Sequence, residues 1–244
     1  YLFSMLLALI LALILSKWAL QPIKKAFIKQ KQFVADASHE LKTPLSVIGT
    51  NLDVLIDEVG NNKWFGYIDG EVKRMNVLVK DLLYLAKYDS SEMSYDFSSF
   101  NLSQAITAAT LPFESIAFEQ GLTFDVDIES NITYYGDVNR IKQLAVILID
   151  NAIKNCTDNG MVRVNLKITG NKKIFSVYNT GEGLDTVQKK KIFERFYRTD
   201  SSRTRDTGGS GLGLSIATTI VQMHRAKINV QDKKGEWIEF SVSF

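Results

Sequence analysis

Residues 1–16 carry no charge and are apolar on every face, the pattern of a helix with no water-facing side. From about Ile23 to Glu58 the apolar positions fall at helical spacing, with Phe33, Ala37, Leu41, Leu45 and Ile48 on one stripe. Gly60, Asn61 and Asn62 read as a turn. A second helix to about Asp89 carries a near-heptad stripe of Phe65, Ile68, Val72, Met75, Leu78 or Val79, Leu82 and Leu85. Two such helices form a hairpin with one apolar face, which a second copy would bury in a four-helix bundle. The serine-rich residues 91–100 then read as an interdomain linker.

Beyond the linker the period changes. A helix is expected from about Leu102 to Gln120, a strand through Leu122 to Ile128, and a helix over Asn139 to Asn155 opened by Asp137. Strand-like runs follow at Val162 to Thr169 and Lys173 to Tyr178, then a loop, a further helix, and strands at Lys227 to Val230 and Trp237 to Phe244. The pattern predicts a multidomain chain: an N-terminal transmembrane helix, an all-α hairpin forming a dimeric bundle, and an α+β two-layer sandwich with helices on one face of a sheet.

Charge sharpens the first of these. A span needs about 20 apolar residues, and 1–16 is slightly short. Because the chain opens on Tyr1 rather than Met, a longer span or an upstream region is expected to be missing. A buried soluble helix is the alternative. Lys17, Lys24, Lys25, Lys29 and Lys31 follow with no acid before Asp36, the excess that marks a cytoplasmic flank, and Trp18 suits the headgroup level. The region beyond these lysines is therefore expected in the cytoplasm of a membrane-anchored protein, the juxtamembrane lysines at 17–32 against anionic lipid.

Across the whole chain, 45% hydrophobic and 23% charged residues are those of a folded protein, and a net charge of +2 gives no argument for nucleic acid. The single cysteine, Cys156, excludes an internal disulfide framework and reads as a buried thiol, and two histidines, His39 and His224, do not build a zinc site.

His39 and Thr43 lie off the apolar stripe of the first helix, with Asp36 one turn before. An imidazole there is either a solvated surface group or a nucleophile whose tautomer a neighbouring carboxylate, Asp36 or Glu40, would set. Asn151, Lys154 and Asn155 share one polar helix face. Gly181 and Gly183 follow a strand, and Gly208-Gly209-Ser210-Gly211-Leu212-Gly213 opens a helix whose unpaired N–H groups suit phosphate. Residues 199–207, rich in Ser, Thr, Arg and Asp without an apolar run, look like a mobile lid.

Ser38-His39-Glu40-Leu41-Lys42-Thr43-Pro44-Leu45 closely resembles the phospho-acceptor motif of bacterial two-component sensor histidine kinases. In family order, Asp150 to Lys154, Asn179 to Leu184, Lys191 to Arg198 and Gly208 to Leu214 resemble that family's ATP-binding motifs. The resemblance implies domains at 33–90 (dimerisation and phosphotransfer) and 101–244 (ATP binding), with no room for the linker domain many members carry after the membrane. It also implies that His39 accepts a phosphoryl group from ATP, Glu40 is its general base, and Thr43 positions water when the enzyme runs as a phosphatase. Asn151 would supply an oxygen to Mg²⁺, and Lys154 and Arg198 would meet the phosphates. The adenine and phosphate loops would be built with Asn155, Asn179, Gly181, Gly183, Tyr197, Gly209, Gly211, Leu212 and Gly213. The implied partners are a second copy and the receiver domain of a response regulator. Three positions depart from the family's pattern: Ile147 where a second Asn is common, Asn155 where an aromatic is usual, and Asn179 where an Asp usually meets the adenine amino group. These departures motivate an alternative, a degenerate kinase acting mainly as a response-regulator phosphatase or docking partner.

Overall fold

The computed structural model describes residues 2–3, 5–6, 9–11, 41–42, 44–57, 60, 63–89 (backbone only at 86–89), 96–198 and 211–244. His39, Glu40, Thr43, Gly209, the lysines at 17–31 and most of the expected span lie outside these residues. Among those described, no helix is long and apolar enough to cross a membrane. The chain divides into two compact units, Tyr1–Met93 and Ser94–Phe244.

In the first unit, helix α1 is described over 44–57 and α2 runs Lys63–Asp89. Gly60 closes α1 by donating its N–H to the Ile56 carbonyl, using φ +84° that a side chain would resist. Leu45, Leu52, Val72, Val79 and Leu85 are buried, and a Cβ on Gly49 would sit 3.6 Å from Val72, so the two helices pack closely. The expected single stripe divides into two. Leu41, Ile48 and Leu55 recur at heptad spacing but stay 44–51% exposed, as do Ile68 (47%) and Met75 (37%) on α2. Each helix therefore spends one stripe within the hairpin and leaves a second exposed among the described residues.

The second unit opens with strand β1 (Ser98–Asn101) and helix α3 (Leu102–Glu119), then β2 (Thr123–Ile128) and β3 (Thr133–Gly136). Helix α4 (Val138–Lys154), strands β4 (Met161–Thr169) and β5 (Lys172–Thr180), helix α5 (Thr186–Lys191), helix α6 (Gly213–Met223), and strands β6 (Lys227–Lys233) and β7 (Trp237–Ser243) follow. The main sheet has order β2-β4-β5-β7-β6, antiparallel except for the parallel β2–β4 pair, and β1 pairs β3 in a separate ribbon. Ser98 and Ser99, read as linker, are strand residues. The ribbon is held by backbone pairing and by Phe100 edge-on to Tyr134, so it shows no apolar alternation.

One sheet face buries Val162, Val164, Leu166, Phe175, Val177, Phe240 and Val242, alternating with outward residues as a half-covered sheet requires. Helix residues Ile106, Ile141, Leu144, Leu148, Ile149 and Ile220 cover them, each buried side chain worth about 1.5–3 kcal/mol. The open face is polar, with Arg163–Asp125 and Lys167–Asp127 ion pairs across β2 and β4.

His224 caps α6 and joins it to the start of α4. Its Nδ1–H donates to the Ile220 carbonyl (2.8 Å) and Nε2 accepts the Asp137 N–H (3.0 Å). Asp137 in turn caps α4 by accepting the Asn139 and Arg140 amides. Burial holds the His224 pKa below its ordinary value, against the opposing pull of the Ile220 carbonyl and Asp137.

Candidate functional site

Helix α4 brings Asn151, Lys154 and Asn155 to one face because Leu144, Leu148, Ala152 and the rest of its apolar stripe are buried against the sheet. The Asn155 side chain turns back on the helix, its Nδ2 donating to the Asn151 carbonyl (2.7 Å) and to Asn151 Oδ1 (3.1 Å). An amide oxygen has two lone pairs, so one on Oδ1 remains for a cation. Lys154 is paired with Asp150 at 2.7 Å, both about half exposed.

Asn179 ends β5 beneath this face and is 1% exposed. Its Nδ2 donates to the main-chain carbonyls of Asn155 (3.3 Å) and Thr180 (3.0 Å), which fixes the orientation of the amide. Its Oδ1 is buried with no hydrogen-bond partner. An orphaned buried acceptor is costly unless a donor arrives, and an exocyclic amino group is such a donor. Asn155 thus joins two expected site residues, holding Asn151 by its side chain and Asn179 by its carbonyl. Gly181 is sterically required beside them, since a Cβ there would lie 2.9 Å from the Asn155 carbonyl oxygen and 3.1 Å from Asn179 Nδ2.

A hub not expected from the sequence supports the same corner. Thr180 Oγ1 accepts the Met161 N–H (2.9 Å), receives the Thr157 hydroxyl (3.1 Å) and lies 3.3 Å from Cys156 Sγ. Cys156, expected to be buried, is half-buried at this junction.

The glycine-rich segment opens α6. Gly211 takes φ +70°, and a Cβ on it would meet the Phe196 main chain at 2.9 Å. The Phe196 N–H donates to the Gly211 carbonyl at 2.9 Å, with Phe196 itself at φ +64°. The described residues on either side of the expected lid, which itself lies outside the described residues, are therefore joined. Leu212 is fully buried, and α6 begins at Gly213 without a side-chain cap, leaving its first-turn amides to another acceptor. Ile147 packs against Gly213, with 3.4 Å from its Cγ2 to where a Cβ would be, which sets the start of α6 beside the α4 face that carries Asn151. Tyr197 and Arg198 are half-buried at the end of the segment after α5. Among the described residues no cluster of His, Cys, Asp and Glu could hold a metal, so a divalent cation here would rest on Asn151 and the phosphates it accompanies.

Two family models match the chain. Residues 29–91 match the His Kinase A (phospho-acceptor) domain, and 136–244 match the histidine kinase-, DNA gyrase B- and HSP90-like ATPase. The chain is 34% identical over 225 residues to Sensor protein DltS of Streptococcus agalactiae, covering 92% of this chain and 57% of that protein. It is 32% identical over 228 residues to the signal transduction histidine-protein kinase ArlS of Staphylococcus aureus, covering 91% and 50%. It thus spans about half the length of these relatives. The catalytic domain of histidine kinase ThkA superposes with TM-score 0.54 at 28% identity, covering 61% of this chain and 95% of that domain. Full-length ShkA in complex with AMPPNP shares the fold, with TM-score 0.75 at 23% identity, covering 87% and 45%.

Proposed function

The chain belongs to the two-component sensor histidine kinases, and we propose that it uses ATP to phosphorylate His39 and passes the phosphoryl group to an aspartate of a response regulator. The observation that carries this reading is the orphaned Asn179 Oδ1, an acceptor fixed to receive the adenine amino group and tied through Asn155 to Asn151. Asn151 is assigned to Mg²⁺, which when bound neutralises charge on the phosphates. The α6 amides beginning at Gly213 hold the phosphates, with Gly209, Gly211 and Leu212 shaping their approach, and Lys154 leaves Asp150 to join them. Arg198 stabilises charge on the γ-phosphate during transfer, and Tyr197 and Gly183 line the site.

In the same proposal Glu40 takes the proton that sets the His39 tautomer, and Thr43 positions water for dephosphorylation of the regulator. The exposed second stripe of α1 and α2 supports pairing of two copies. Residues 1–16 anchor the protein in the cell membrane, the following lysines meet anionic lipid, and the catalytic part faces the cytoplasm. Residues 33–90 form the phosphotransfer domain and 101–244 the catalytic domain.

Incubation with γ-labelled ATP and Mg²⁺ tests the reading. Acid-labile label is expected on the wild type and absent from His39→Gln and Asn151→Ala. Label retained by Asn151→Ala would remove the metal assignment, and label retained by His39→Gln would remove the acceptor.

A further inference from the structure

Asp232 lies on the edge strand β6, outside every asparagine and glycine motif, yet its carboxylate is only 2% exposed. Oδ2 accepts the Leu184 N–H at 2.8 Å, and Oδ1 forms an ion pair with the Lys189 ammonium. Two backbone bonds run alongside. The Gly181 N–H donates to the Glu236 carbonyl (3.0 Å), and the Gly235 N–H donates to the Glu182 carbonyl (2.8 Å). Gly183, at φ +72°, fits only because it has no side chain, since a Cβ would come within 3.0 Å of both Asp232 Oδ2 and the Lys234 Cα.

A buried carboxylate is expensive unless it is paired and hydrogen-bonded. Burial pushes the Asp232 pKa up, but Lys189 and the Leu184 amide outweigh it, and the group is held below its ordinary value. The carboxylate is therefore charged where it meets the loop. A segment with glycines at 181 and 183 has more backbone freedom than other residues allow, and binding to it loses affinity unless that freedom is removed beforehand.

We propose that Asp232 is a positioning residue for the nucleotide: it ties the loop from Gly181 to Leu184 to the turn between β6 and β7, so that the wall beside Asn179 is in place before the base arrives. This rests on the reading of that corner as the ATP site. The same carboxylate also holds Lys189, on α5, in an ion pair.

The test is calorimetric titration of ADP with Mg²⁺ into the detergent-solubilised 244-residue chain, together with amide exchange at Leu184 and ATP kinetics of self-labelling. Asp232→Ala is expected to weaken ADP about tenfold and raise KM in parallel while kcat stays within about twofold, because the loss falls on binding. Leu184 exchange is expected to speed up. Asp232→Asn keeps an oxygen for the Leu184 amide and is expected within about threefold of wild type. If the alanine variant fails to fold, Asp232→Ser, whose hydroxyl does not reach the amide, is read the same way. ADP affinity within about twofold of wild type in the short-side-chain variant overturns the proposal, even if the thermal midpoint falls, because Asp232 would then hold up the fold alone. A wild-type chain that binds no ADP overturns the ATP reading itself.

Discussion

Replacing Asn179 by Asp should separate stability from nucleotide affinity. In the free protein the Asn179 Nδ2 donates to the carbonyls of Asn155 and Thr180. An aspartate presents an oxygen to both, so two bonds worth about 0.5–1.5 kcal/mol each are lost and replaced by repulsion in a nearly dry position. The expected cost is about 2 kcal/mol, or about 4–8 °C in the thermal midpoint of a unit of this size. The other oxygen, orphaned in the wild type, becomes an anionic acceptor for the adenine amino group. Charge-assisted hydrogen bonds are roughly twice as strong as neutral ones, so ADP should bind about fivefold more tightly, a gain of about 1 kcal/mol. Differential scanning calorimetry without ligand and titration calorimetry with ADP read the two effects. A lower midpoint with unchanged or weaker ADP binding would refute Asn179 Oδ1 as the base acceptor. Tighter binding without a lower midpoint would refute the pinning of the amide by the two carbonyls.

Two further outcomes follow from the fold. The His224 Nε2 must stay unprotonated to accept the Asp137 N–H, and its pKa is lowered in the folded state; the unfolded chain therefore binds the proton first, and stability should fall as pH drops below about 6.5 until the folded pKa is passed. Thermal midpoints across that window, compared with His224→Gln, should show the slope only in the wild type. Ile68→Glu with Met75→Glu places charges on the exposed stripe of α2 and should convert a dimer to a monomer by light scattering with little loss of helical ellipticity. A dimer that persists would move the interface elsewhere.

Much of the architecture was legible because its elements are amphipathic. The buried stripe of α4 and the alternation of β4 made both their existence and their inner faces readable, and spacing put Asn151 and Asn155 on one polar face, while the roles expected of them came from the family resemblance. The β1–β3 ribbon was hidden because Ser-Ser-Phe-Asn has the composition of a linker, and only pairing with Thr133–Gly136 makes it a strand. Asp232 was hidden for a different reason: a single acid on an edge strand reads as a surface charge, and its meaning lies in a contact with Leu184 that no local spacing encodes. The second role of Asn155 was likewise out of reach, since its carbonyl's partner is a side chain on another element. The apolar face of the hairpin was foreseen as one stripe, but only packing separates the positions buried within the hairpin from those left exposed.

The bond between Phe196 and Gly211 makes a neck at which the chain returns to where it left. That bond is between main-chain groups, so it does not depend on which side chains the chain carries between them. Closure entropy rises only with the logarithm of loop length, about 0.6 kcal/mol per doubling. Insertions and deletions between 197 and 210 should leave the register of Leu212 and Gly213 unshifted. The number of residues between Phe196 and Gly211 can thus change while the first turn of α6 keeps its address.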